Sequence, residues 1–105
     1  MKKICFVALL LPQLVFAVDA DYTMTIKDHC FQPAELTVPA GKKIKLLIEN
    51  QDATAEEFDS FSLNREKVIA GHGSATLYIG PLNAGRYPFM GEFNAATAQG
   101  VIVAQ

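Results

Sequence analysis

Gly85-Arg86-Tyr87-Pro88-Phe89-Met90-Gly91-Glu92-Phe93-Asn94, running on through Ala95-Ala96-Thr97-Ala98-Gln99 to Gly100-Val101-Ile102-Val103, is the stretch on which the fold turns. Both ends read as extended chain. Phe89 alternates with Met90 in one strand, and Val101 and Val103 alternate in the other, the period of two that half-buried strands show. Between them, Ala95-Ala96-Thr97-Ala98 has room for one helical turn and nothing longer. The segment is a hairpin with a long connection that carries Glu92 and Asn94.

The same alternation runs through the rest of the chain. Tyr22, Met24 and Ile26 alternate with Thr23, Thr25 and Lys27; Leu36 and Val38 flank Thr37; Ile44, Leu46 and Ile48 alternate with Lys45, Leu47 and Glu49; Leu77 and Ile79 alternate with Thr76 and Tyr78. Breaks fall at Pro39-Ala40-Gly41, Gly71-His72-Gly73 and Gly80-Pro81-Leu82-Asn83-Ala84-Gly85, which have the residues that turns demand. Short strands at this spacing predict an all-β sandwich or barrel of about seven strands, forming a single domain.

The first residues read as an export signal. Lys2 and Lys3 precede an apolar run from Ile4 to Phe16, and Val15-Phe16-Ala17 offers a cleavage site after residue 17, with Ala20 as a second choice. That run, roughly 13 residues, falls short of the about 20 needed for a membrane-spanning helix. Cleavage at 17 leaves residues 18–105, with seven basic and eleven acidic residues and a net charge of −4, expected to form one domain over 21–105 with no integral membrane segment. Lys42, Lys43 and Lys45 interleave with Ile44 and Leu46 as the wet face of a strand, so nucleic acid is not an expected partner. Cleavage would also leave Cys30 as the sole thiol, with no intramolecular disulfide available.

The order of motifs resembles the cupredoxin-like family, a Greek-key β-sandwich. Phe31-Gln32-Pro33-Ala34-Glu35-Leu36-Thr37-Val38-Pro39-Ala40-Gly41 is similar to the family's opening, Lys42 to Asn50 to its next strand, and Gly85 to Val103 to its last hairpin. In blue-copper members that hairpin carries a cysteine, a histidine and a methionine. Here the cysteine position reads Gly91, the histidine position Asn94 and the methionine position Thr97 or Ala98; the first histidine position resembles Glu57. A blue-copper centre needs two imidazoles and a thiolate, so a blue-copper electron carrier is excluded.

A narrower resemblance rests on Glu56-Glu57-Phe58-Asp59-Ser60-Phe61-Ser62-Leu63, Glu66-Lys67-Val68-Ile69, Gly91-Glu92-Phe93 and Thr97-Ala98-Gln99-Gly100. These runs look like the small periplasmic cupredoxin-like subunits of ferrous-iron permease systems, and like the cupredoxin domain of imelysin-fused iron-uptake proteins. That resemblance implies a periplasmic location, an iron permease and a periplasmic metal-binding protein as partners, and a role for Cys30 and Glu57-Phe58-Asp59 as metal ligands. Asn94 stands where many such relatives have histidine.

On an extended strand Glu57 and Asp59 share a face and Phe58 takes the other. Glu57, Asp59 and Glu92 would then concentrate charge at one end of the sandwich. With Met90 and Cys30 they form a candidate set for an iron or copper ion, since carboxylates suit hard ions and sulfur draws Cu(I). The alternatives stay open: solvated loop acids, Met90 as core filler, and Cys30 as a small buried hydrophobe. His29 and His72 stand outside the family's ligand positions. No nucleophile elbow, paired-histidine motif or phosphate loop is present, so nothing marks an enzyme beyond an accessory part in ferrous oxidation. The competing function is a metal-free interaction module that docks a permease or periplasmic partner through its acidic end.

Overall fold

The computed structural model describes residues 19–105; the expected signal at 1–17 lies outside the described residues. Nine strands follow in order: β1 (Tyr22–Lys27), β2 (Cys30–Gln32), β3 (Glu35–Val38), β4 (Ile44–Asn50), β5 (Glu56–Ser60), β6 (Arg65–Ile69), β7 (Ser74–Ile79), β8 (Gly85–Gly91) and β9 (Gln99–Ala104). They form a four-stranded sheet, β2-β1-β4-β7, and a five-stranded sheet, β3-β9-β8-β5-β6. Pairing is antiparallel except for β1 with β4 and β3 with β9.

The count exceeds the expected seven for two local reasons. β2 has only three residues, too few for alternation to register. β6 is the edge of its sheet and exposes Glu66, Lys67 and Val68 in succession, which erases the pattern. The helical turn also starts earlier than expected: a 3₁₀ turn spans Glu92–Asn94, and the Ala98 amide donates back to the Asn94 carbonyl at 2.9 Å.

Inward-facing residues of the two sheets make one core. Met24, Ile26, Ile44, Leu46, Ile48, Leu77 and Ile79 come from the first, and Leu36, Val38, Phe58, Ile69, Phe89, Ile102 and Ala104 from the second. Phe31 crosses from β2 to meet Phe89 edge-on at 4.9 Å and Phe58 at 6.0 Å, while Phe58 stacks on Phe89 at 4.9 Å. Gly100 is required here, because a Cβ would lie 2.4 Å from Phe89 Cζ and 2.5 Å from the Ala34 carbonyl oxygen.

Buried Asn50 ties the loop after β4 to that core. Its Nδ2 donates to the carbonyls of Thr54 (2.9 Å) and Ile69 (3.2 Å), and its Oδ1 accepts from the Asp52 amide at 3.0 Å. Asp52 in turn accepts from the amides of Asp28 and His29 at 2.8 and 2.9 Å, holding two residues at φ of 52° and 58°. Such left-handed conformations are costly outside glycine unless local bonds fix them.

Candidate functional site

The five-stranded sheet presents its acids on its outer face. Phe58 is fully buried, so its neighbours Glu57 and Asp59 turn outward. The β5–β6 hairpin sets Glu66 directly opposite Asp59, and the β5–β8 pairing sets Met90 opposite Asp59 on the other side. With Gln99 opposite Met90, one row crosses four strands: Glu66, Asp59, Met90, Gln99. Directly opposed side chains have Cβ atoms about 4.5–5.5 Å apart, so these groups are in reach of one another. The row lines an open groove of about 660 Å³ whose wall includes Phe61, Arg65 and Pro88.

One step along the ladder lie Glu57 and Glu92, beyond the Phe58–Gly91 pair. Oxygens of Glu57, Asp59 and Glu66 all lie within 4.8 Å of one another. Glu92 joins them, its carboxyl within hydrogen-bonding reach of Asp59. Crowding of like charge is visible in their acidities. The Glu57 carboxyl is held above the usual carboxylate range, first by desolvation, then by the charges of Glu66, Asp59 and Glu56 and a hydrogen bond with Glu66. Glu92 is raised too, first by its hydrogen bond to Asp59, then by desolvation and by the charges of Asp59, Glu57 and Glu66. A cation bound among these groups would offset the like charge that helps to raise them.

The structure thus brings together four of the five expected residues, Glu57, Asp59, Glu92 and Met90, and adds Glu66. It does not bring Cys30 to them. Cys30 sits on β2, in the opposite sheet, 1% exposed. Its sulfur is engaged in a disulfide in this uncleaved chain, where it offers a metal no thiolate; the lone thiol is the expectation for the chain cleaved after residue 17, a step that lies outside the described residues. Met90 is half-buried and faces the groove rather than the core, which its neighbour Phe89 occupies. His29 lies by Asp52, Nδ1 to Oδ2 3.6 Å, and His72 is an exposed turn residue.

Behind the acidic face lies a second constellation that centres on Glu56, 1% exposed and pointing inward with Phe58 and Ser60. Its Oε1 accepts from the Phe93 amide at 2.8 Å and the Glu57 amide at 3.0 Å, and its Oε2 accepts from Asn94 Nδ2 at 2.8 Å. The carboxyl carbon lies 2.6 Å from where a Cβ on Gly91 would stand, and Ala98 Cβ lies 2.7 Å from the same point. Glu56, not Glu57, therefore faces Gly91, Asn94 and Ala98, the positions that resemble emptied copper ligands. These residues do not fit a thiolate–imidazole copper ion: Gly91 has no side chain, Asn94 donates to Glu56, and Thr97 Oγ1 donates to the His29 carbonyl at 2.6 Å.

Comparison with known proteins agrees with this architecture. An uncharacterized protein of Rickettsia prowazekii is 46% identical over 80 residues, a match covering 76% of this chain and 64% of that protein. Among solved structures, auracyanin A, a blue copper protein from Chloroflexus aurantiacus, superposes with a TM-score of 0.68 at 15% identity, covering 79% of this chain and 96% of that one. Amicyanin from Paracoccus versutus gives 0.65 at 16% identity over 85% and 84%. A purple cupredoxin from Nitrosopumilus maritimus gives 0.61 at 14% identity over 81% and 100%. At such identities these three share the fold alone. The family model for the cupredoxin-like domain matches residues 4–104, nearly the whole chain, and the chain belongs to that family.

Proposed function

We propose that this chain is an exported metal-binding protein whose outer carboxylate cluster takes a divalent cation, with ferrous iron as the favoured ion. Glu57, Asp59, Glu66 and Glu92 supply the oxygen ligands, and Met90 lies beside Asp59 as a sulfur donor that would admit copper. Serving a ferrous-iron uptake system, the domain delivers the ion to, or assists its oxidation at, an inner-membrane permease, alongside a periplasmic metal-binding protein. The observation that carries the reading is the meeting of Glu57, Asp59 and Glu66 oxygens within 4.8 Å. Oxygen-only clusters suit hard and borderline ions over Cu(I), and neutralising a crowded acidic site relieves its repulsion. No helix among the described residues is long and apolar enough to cross a membrane. The resemblance of the Glu56–Leu63 and Glu66–Ile69 runs to iron-permease subunits supports the pathway and the exported location.

A second reading is a metal-free docking module, favoured by the exposed Phe61, Val68 and Phe93 around the same acids. Anaerobic calorimetric titration with Fe(II), and separately with Cu(II), divides the two. Saturable binding that Glu57→Ala and Glu92→Ala abolish is expected. Binding that both variants retain, or none at all, sinks the metal site and leaves the docking module.

A further inference from the structure

The loop between β8 and β9 needs an anchor. In a sandwich of this family a metal ion can tie that loop to the strand that corresponds to β5, but the residues here do not fit one. Glu56 bridges the same gap. Its carboxylate accepts from the Glu57 amide on β5 and, across 37 and 38 residues of chain, from the Phe93 amide and Asn94 Nδ2. No buried side-chain nitrogen or oxygen among the described residues lacks a partner, so this network is closed. Hydrogen bonds to a charged acceptor are shorter and stronger than neutral ones, and a buried carboxylate without them would be severely penalised. Glu92 immediately precedes the residue that Glu56 holds.

We propose that Glu56 is a positioning residue: its buried carboxylate takes the place of a metal ion in fastening the β8–β9 connection to β5, and thereby sets Glu92 over Asp59 and Glu57. The inner site is closed by the protein's own side chains while the outer face stays open to a cation. The second half of this inference rests on the outer-cluster reading above.

Two measurements on the exported protein test it: amide hydrogen exchange at Phe93 and the loop that follows, without metal, and Fe(II) affinity under anaerobic conditions. Removing the clasp in Glu56→Ala should speed Phe93 exchange by about tenfold or more, since a hydrogen bond to a charged group is lost. It should weaken Fe(II) binding by about 10- to 100-fold, the usual cost of losing a group that orients ligands. Glu56→Gln is the deciding variant. Its Oε1 still accepts from the two amides, and its Nε2 can donate to a flipped Asn94 Oδ1, so exchange and affinity should stay within about threefold of the parent. Loss of Fe(II) binding in Glu56→Gln as complete as in Glu57→Ala would make Glu56 a ligand and overturn the proposal. So would a Glu56→Ala protein with unchanged Phe93 exchange. If Glu56→Ala does not fold, Asn94→Ala removes only one donor and must still speed exchange across the turn. A parent protein that binds no Fe(II) would refute the outer site, while the exchange data would still decide the clasp.

Discussion

Restoring the family's cysteine should damage this protein rather than give it copper. Gly91 has φ of −91° and ψ of 110°, ordinary extended backbone, so glycine is kept there for space alone. A Cβ at this position would stand 2.6 Å from Glu56 Cδ, 2.7 Å from Glu56 Oε2 and 2.7 Å from Ala98 Cβ. Ala98 cannot swing away, being fully buried and bonded through its carbonyl to the Gly91 amide at 2.7 Å. Glu56 can retreat only by breaking bonds from Phe93, Glu57 and Asn94, each worth about 1.5–3 kcal/mol to a charged acceptor. Overpacking without retreat costs about 1–3 kcal/mol. The cheaper route therefore sets a loss of about 2 kcal/mol for Gly91→Cys, which lowers the melting temperature of a domain this size by about 8–16 °C. Differential scanning calorimetry of Gly91→Cys and Gly91→Ala, with and without Cu(II), measures this. A variant that melts within about 2 °C of the parent, or that gains an intense copper–thiolate absorption, would refute the claim that Glu56 fills the site.

Two other outcomes are expected. Desolvation at Glu57 and the hydrogen bond to Asp59 at Glu92, together with like charge, raise these two pKa values, so the folded protein keeps their protons to higher pH than the unfolded chain, with a pKa near 4.5, does. Folded stability therefore falls as pH rises from about 4.5 through the raised values, and Glu92→Gln should melt higher than the parent at pH 7 but not at pH 4. Thermal melts at both pH values check the sign, and the gap should narrow in high salt. Asn50→Ala should cost about 2–4 kcal/mol in urea unfolding, because the Thr54 and Ile69 carbonyls and the Asp52 amide lose partners at once.

Much of the fold was legible because it is written locally. Phe58 between Glu57 and Asp59, and Phe89 beside Met90, announce which way each side chain faces once the segment is known to be extended. The errors come from parity and from long range. Matching the family's first histidine position to Glu57, when Glu56 is the residue that faces Gly91 and Asn94, is a slip of one residue, which in a strand reverses the face. Counting back by twos from Ser60 and Phe58 reaches Glu56, so the signal was present. Glu66 was harder. It joins Asp59 only because the hairpin closes with Ser60 opposite Arg65, a register that composition does not state. The clasp between Glu56 and Asn94 spans 38 residues, and no local pattern encodes such a contact. The disulfide at Cys30 belongs to the uncleaved chain, and the lone thiol expected after cleavage at 17 concerns a processing step that lies outside the described residues.

The parallel pair of β3 with β9 has a consequence for how the molecule assembles. Glu35 lies opposite Val101, so the sheet that carries the acidic face is completed by a contact between distant parts of the chain. β9 also sits between β3 and β8, as an interior strand rather than a trim at the border. Until residues 99–104 arrive, β3 has no neighbour in its sheet and β8 shows an open edge. Closing such distant pairs is slow, because loop entropy must be overcome before any contact rewards it. The acidic sheet is therefore complete only once residues 99–104 have joined it, and its closure waits on one of its longest-range pairings.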